Sequence, residues 1–417
     1  MTDNGRDVDV LRDLATQYAE RAAKPIQEER RELWEKHFSL KRTRPPILIR
    51  YGIWNVWCHE LFGDAAMECE DPFYREHERW LRMQLFHHSL GDDYILEPWI
   101  TQRASYKTPQ GIYGEPWGAN VDYARPGIEG GSWKADPFIK DWQDVEELTP
   151  PAHEIDEEKT ARDVQRLRDA IGDILEVNVD RGPVLLGFAG DISTTIAVIR
   201  GLDQLMYDMY ESPEKLGELL AFLRDGILAN QAEAERAGDF SLTNHNNQAM
   251  PYAEELERPR ANAGPRRREE LWGFFAAQEY TLISPAFHDQ FLFQYQLPIM
   301  EKFGLVHYGC CEDLTRKIDM VRQLDNLRSI AVTPSADVWK CAEQIGRDYV
   351  ISWRPSPAEM VCTGWDETHV REVIRDGMEA CKDGVVHISL KDVETLQGDP
   401  GRLRRWTQTA REVVEEY

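Results

Sequence analysis

Apolar positions change period along this chain. Over residues 7–38, Val8, Leu11, Leu14, Tyr18, Ala22 and Ile26 recur at helical spacing among charges, which predicts one or two amphipathic helices. Pro45-Pro46 ends that pattern, and Ile47-Leu48-Ile49-Arg50-Tyr51 reads as a buried strand. Asp71-Pro72 supplies a cap and first turn for a helix over 71–90. Residues 93–98 form a second, short strand candidate. A helix over 156–179 precedes the continuous apolar run 184–189, and Gly190 to Thr195 then opens a helix over 194–207. Ser212-Pro213-Glu214 starts another over 213–236. Residues 240–247 and 274–280 are weaker candidates on either side of the charged stretch 254–270. A helix over 285–302 leads into a strand at 305–310.

The last third alternates cleanly. Helices over 313–323, 336–345 and 367–382 each precede an apolar strand, at 328–333, 349–353 and 385–390, and Asp399-Pro400 caps a helix over 400–416. Strands alternating with helices of this length mean βαβ units and a parallel sheet. Eight or nine strand candidates fit an α/β fold of the (β/α)8 barrel type over residues 45–417, preceded by a helical extension over 1–44. One candidate, 241–245 or 274–279, is then surplus. The stretch 101–150 holds Gly111, Tyr113, Gly114, Pro116, Trp117, Gly130 and Trp133 and reads as a hairpin-and-loop insertion after the second strand. No internal repeat is visible.

Charge narrows the partners. The chain has 417 residues, with 49 basic against 74 acidic side chains and a net charge of −25. Such a surface repels phosphate backbones and anionic bilayers, which argues against nucleic acid and membrane as partners. Seven cysteines at irregular spacing, an N-terminus without an apolar signal region and no run of 18 apolar residues point to a reducing cytoplasm.

In a parallel barrel the chemistry sits at the C-terminal strand ends. That rule selects Tyr51 and Trp54 after the first strand, Glu97 and Trp99 after the second, and Asp191 after the third. His245, Asn247, Gln278 and Glu279 come from the middle of the chain, Trp353, Arg354, His387 and Lys391 from the last strands. The densest chemistry is His307-Tyr308-Gly309-Cys310-Cys311-Glu312. Strand alternation puts His307 and Cys310 on opposite faces unless the strand ends by Gly309, which permits a bend. Thiolate with imidazole or carboxylate suits zinc, so His307, Cys310 and Cys311 are the candidate metal ligands. The plain alternative is a pair of buried cysteines acting as small apolar residues. His387 reads equally as a core histidine or a ligand, and Arg354 as an anion clamp or a rim salt bridge. Glycine-rich phosphate loops, His-Glu-x-x-His and Gly-x-Ser-x-Gly are absent.

VLLGFAGDISTT at 184–195 with GLDQLMYDMYESPEKL after it, Ile283-Ser284-Pro285 with Phe287, Phe291 and Pro298, and HYGCCED at 307–313 together resemble the uroporphyrinogen decarboxylase superfamily, in the branch that contains corrinoid-dependent methyltransferases. The likeness spans roughly 45–415. Departures exclude a true uroporphyrinogen decarboxylase: the first strand reads Ile49-Arg50-Tyr51-Gly52 instead of an arginine-rich motif, and the last ends Ser389-Leu390-Lys391-Asp392 instead of Gly-His-Gly. The zinc cysteine of the methyltransferase branch would fall near Lys391, and the fused corrinoid-binding signature is missing.

The resemblance implies a methyltransferase that moves a methyl group between a small methylated substrate, such as an aryl methyl ether, and a corrinoid carried on a separate protein. On that reading Glu312, Glu279 or His245 supplies the proton. Zinc is held by the 307–311 ligands, and Tyr51, Trp54, Asn247, Gln278, Trp353, Arg354 and Lys391 line the substrate. A decarboxylase or lyase on a small carboxylate, held by Arg354 or Lys391 without metal, is the competing enzyme class. A barrel that binds without turnover is the third possibility. A homodimer is left open.

Overall fold

Six strands form one parallel sheet. The structure, a computed structural model, describes residues 4–50, 57–109, 114–124 and 134–417. The strands in chain order are β1 (Ile47–Ile49), β2 (Trp99–Arg103), β3 (Asp122–Ala124), β4 (Lys134–Asp136), β5 (Glu176–Asp180), β6 (Trp272–Phe275), β7 (Leu305–Tyr308), β8 (Leu327–Val332), β9 (Val350–Trp353) and β10 (Val385–Leu390). The large sheet runs β1-β10-β9-β8-β7-β6, all pairs parallel. β2 and β5 form a separate parallel pair, and β3 and β4 an antiparallel hairpin. The hairpin lies within the stretch expected as an insertion. Strand pairing does not join the two parallel sheets among the described residues, so the hydrogen-bonded architecture is an α/β fold with a six-stranded parallel sheet.

Each of β1, β6, β7 and β9 is buried along its whole length. This is the signature of a parallel sheet covered on both faces. One face packs against the helices that follow the strands. Trp353 shows the fit: its ring lies over Gly377 of the helix Glu367–Cys381, where an added Cβ would stand 2.1 Å from the ring.

The N-terminal extension is two helices, Asn4–Ala22 and Pro25–Phe38. The first packs with the helices Pro72–His88 and Glu157–Ile171 against Ile100 and Val177 of β2 and β5, a core of its own. The second presses Trp34 and Phe38 onto Leu48, Trp272, Leu305 and Val350, near the strand beginnings. Its His37 Nε2 lies 3.0 Å from Nδ1 of His387, whose Nε2 meets Ser352 Oγ at 2.9 Å. Burial pushes His37 down to about 3 and His387 well below the ordinary histidine value. His387 is therefore a satisfied core histidine.

Three expected strands take other forms. Residues 93–98 carry no strand; the strand begins at Trp99. The run 184–189 ends in a 3-10 turn, Gly187–Gly190, and the strand precedes it at Glu176–Asp180. Residues 241–245 hold a 3-10 turn, Leu242–Asn244, which makes this the surplus candidate. Among the described residues no helix is long and apolar enough to cross a membrane.

Candidate active site at the end of β7

The strand ends at Tyr308, and Gly309 turns the chain at φ +106°, a conformation suited to glycine. A Cβ there would lie 2.8 Å from that of Ala331 and 2.9 Å from Leu314. The bend resolves the alternation problem. Tyr308 points outward, its hydroxyl 2.9 Å from Gln296 Oε1 and 3.0 Å from His288 Nε2. His307 and Cys310 both face Arg354: His307 Nε2 is 3.3 Å from its Nη2, and the Cys310 carbonyl accepts a bond from its Nη1. A register shift against β8 at Val306 and His307 assists this re-aiming.

Glu312 fixes the loop. It is fully buried, and its carboxyl accepts from the backbone N–H groups of Ala277 at 2.7 Å, Cys310 at 2.8 Å and Cys311 at 3.0 Å. Burial and the nearby Cys310 charge push its pKa up, against those three bonds. With both oxygens spent on backbone, Glu312 is an anchor for the turn; the role of proton donor to a substrate does not suit it.

At the centre stand two sulfurs and an ammonium. Cys310 and Cys311 bring their Sγ atoms to 3.4 Å, and Lys391 Nζ lies 3.1 Å from the first and 3.6 Å from the second. Lys391 also donates to Asp392 Oδ2 at 2.8 Å. Asp392 sits at φ +58°. The bond from Cys311 and the charges of Lys391 and Arg354 hold the Cys310 thiol down to about 5, against burial, while the proton it shares pushes Cys311 up. Cys310 is buried and Cys311 exposed.

Two guanidinium groups flank the pair. Arg354 is 3% exposed and leaves Nε buried without a partner. Arg50, after β1, donates to the carbonyl of Gln248 and leaves its own Nε unpartnered. Burial first, then Arg354, lowers its pKa to about 10. Neither arginine has a carboxylate partner among the described residues. A cavity of about 420 Å³ opens beside Arg50, lined also by Arg103, Phe188, Asn246, His245 and Phe274.

Asp191 completes the group. It follows the 3-10 turn Gly187–Gly190 and is fully buried. One oxygen accepts from Thr194 N at 3.2 Å; the other has no partner among the described residues. Burial, then Glu279, Glu312 and Cys310, push its pKa well above the ordinary carboxyl value, which favours the protonated form. The next residue, Ile192, sits at φ +66°, a costly position for a β-branched side chain. Glu279 accepts from Ser193 Oγ and, at 3.2 Å, from Gln278 Nε2.

The other expected residues divide. Arg354, Lys391, His307, Cys310 and Cys311 converge. Asn247 lies beside Arg50 and keeps a buried, unpartnered Nδ2; Gln278 serves Glu279. His245 lines the cavity, but its Nδ1 accepts from Trp272 N at 3.1 Å and its Nε2 meets Glu257 O at 2.9 Å. Burial lowers it to about 4. Held by backbone at the start of β6, it is no proton relay. Trp353 faces the helix Glu367–Cys381, away from this group. Tyr51 and Trp54 lie outside the described residues. Arg50 and Asp191 emerge as members that the candidate roles left out. Their signal was position alone, an ionisable residue directly after an apolar run.

Zinc does not fit this donor set. The ammonium of Lys391 occupies the place between the sulfurs, and a guanidinium lies against His307 Nε2. Both ring nitrogens of His307 are engaged, Nδ1 with Ser329 Oγ at 3.0 Å and Nε2 beside Gly309 O at 3.2 Å. Burial, then Arg354 and Arg50, keep this histidine neutral. Among the described residues no three His, Cys, Asp or Glu side chains gather as a metal site.

No protein-family model matches the sequence, and no curated protein matches it. Solved structures do. One is a methyltransferase from Methanosarcina mazei, with 12% sequence identity and a TM-score of 0.49 over 93% of this chain and 98% of that one.

Proposed function

We propose that this chain is a methyltransferase that takes a methyl group from a small methylated substrate, of the aryl methyl ether type, and passes it to a corrinoid on a separate protein. We read the six-stranded sheet and the β2–β5 pair as parts of one (β/α)8 barrel with this group at its mouth. The observation that carries the reading is Asp191, a buried carboxyl with a free oxygen and a raised pKa, set among Glu279, Glu312 and Cys310. An ether oxygen leaves poorly until it is protonated, and a carboxylic acid kept neutral at pH 7 can supply that proton.

The chain's own groups divide the work. Asp191 holds the proton and Glu279 keeps it there by like-charge repulsion. Phe188 and Phe274, rings 5.0 Å apart, offer an aromatic wall. Arg50 and Arg354 stabilise negative charge that develops on the leaving oxygen. A corrinoid, when its carrier protein docks, supplies the acceptor for the methyl group. The test is a panel of methyl ethers, thioethers and amines with free reduced cobalamin as acceptor, read as methylcobalamin absorbance. The reading predicts product with at least one ether.

A second reading rests on the two arginines, which have no carboxylate partner among the described residues and suit a lyase acting on a small carboxylate. Carbon dioxide release from a carboxylate panel, with no methylcobalamin from any donor, would replace the first reading with this one.

A further inference from the structure

Two adjacent thiols with touching sulfurs are uncommon, and the methyl-transfer reading gives the pair no task. Cys310 and Cys311 lie 3.4 Å apart at Sγ, and Lys391 reaches both. The other five cysteines are buried. Cys311 is exposed, and its sulfur also approaches Asp392 Oδ2 at 3.7 Å. Glu312 pins the N–H groups of both cysteines through one oxygen, so the backbone between them is held rigid.

We propose that Cys310 and Cys311 form a reactive dithiol that small-molecule disulfides oxidise to a reversible bond between the two neighbours. The inference holds whichever reaction the site performs. With one proton between the sulfurs, its transfer to Cys310 across the 3.4 Å contact would leave the exposed Cys311 as thiolate beside the ammonium. That thiolate attacks one sulfur of the incoming disulfide and expels a thiolate. Cys310 then attacks the Cys311 sulfur, expels the second thiol and closes the bond. The dithiol loses two electrons, the small disulfide gains them, and the protein's proton leaves with one of the released thiols.

Geometry makes the product labile. Neighbouring Cα atoms are about 3.8 Å apart, whereas disulfides usually span about 4.4–6.8 Å. A strained, accessible disulfide is easily reduced and belongs to the regulatory or catalytic kind. Oxidation would remove the thiolate that Lys391 holds and close this strand end until a reductant reopens it.

The experiment treats the reduced full chain with the thiol reagent dithiobis(nitrobenzoate) under native conditions and follows it by intact mass. The expected result is rapid release of two thionitrobenzoate equivalents with no label retained. The mass falls by two hydrogens, a cross-link maps to Cys310 and Cys311, and dithiothreitol restores the thiol titre. Cys310→Ser should keep one label on Cys311, and Lys391→Met should slow the fast phase roughly tenfold. A wild-type protein that retains label on either cysteine, or that shows no fast-reacting pair, overturns the proposal. Neither outcome depends on a variant folding. Oxidised glutathione should give the same mass change; failure to do so at any concentration would also overturn it.

Discussion

The bond from Cys311, and after it the charge of Lys391, set the chemistry of Cys310 at this strand end. An ammonium within 3.1 Å of a sulfur favours its charged form. One cation of the protein thus takes the place that a metal would need. The folded-state pKa of Cys310 lies near 5 against an ordinary 9.0. Because the pKa is depressed, the stabilisation is fully present above about pH 9 and is lost as pH falls through about 5. Lys391→Met should move the thiolate titration upward toward the ordinary value. Ultraviolet thiolate absorbance, taken as the difference from Cys310→Ser, checks this. A midpoint that stays near 5 would mean that Arg354 and Cys311 suffice. The residue scale was also where sequence reading went furthest astray. Cys310, Arg354 and Lys391 could be named from their strand ends, but burial and partners were invisible. Glu312 and His245 each look like free ionisable groups in sequence, and each spends its polar atoms on backbone. Trp353 looks like a substrate wall and faces a helix, because the alternation Ser352 in, Trp353 out, Arg354 in depends on a register that spacing alone leaves undetermined.

At the scale of elements, the last third was legible and the middle was not. β10 runs Val385–Leu390 as its apolar run predicts, and Asp71 caps its helix through Phe73 N at 2.9 Å. Residues 176–180 alternate as Glu-Val-Asn-Val-Asp, a half-buried strand pattern, but the preceding helical pattern overran it and the purer apolar run at 184–189 drew the assignment. The expected helix 313–323 shrinks to Ile318–Val321, because Asp313 turns the chain by accepting from Thr315 N at 2.8 Å. Helix and strand also meet closely at Gly377, where Trp353 fills the space a methyl group would need. Gly377→Ala should therefore cost about 1–3 kcal/mol by overpacking, measured by denaturant unfolding. An unchanged midpoint would show that the ring has room to move.

At the scale of the molecule, a chain of net charge −25 carries a cluster of cations at one end of its parallel sheet. Arg50, Arg354 and Lys391 come from the ends of β1, β9 and β10, which are neighbours in the sheet although far apart in sequence. The helix Pro25–Phe38 packs near the strand beginnings through His37 and His387, a contact across 350 residues that no local pattern announces. The ends of β6 and β7, through Glu279, Glu312 and Cys310, bring one buried carboxyl, Asp191, into a setting that raises its pKa. The claim that the Asp191 proton goes to the leaving oxygen is tested most directly by comparing methyl donors with good and poor leaving groups in wild type and Asp191→Asn, with free reduced cobalamin as acceptor. General acid catalysis predicts that the variant loses about 10²–10⁴-fold with the poor leaving group and far less with the good one. Equal losses with both donors, or no loss with either, would contradict it.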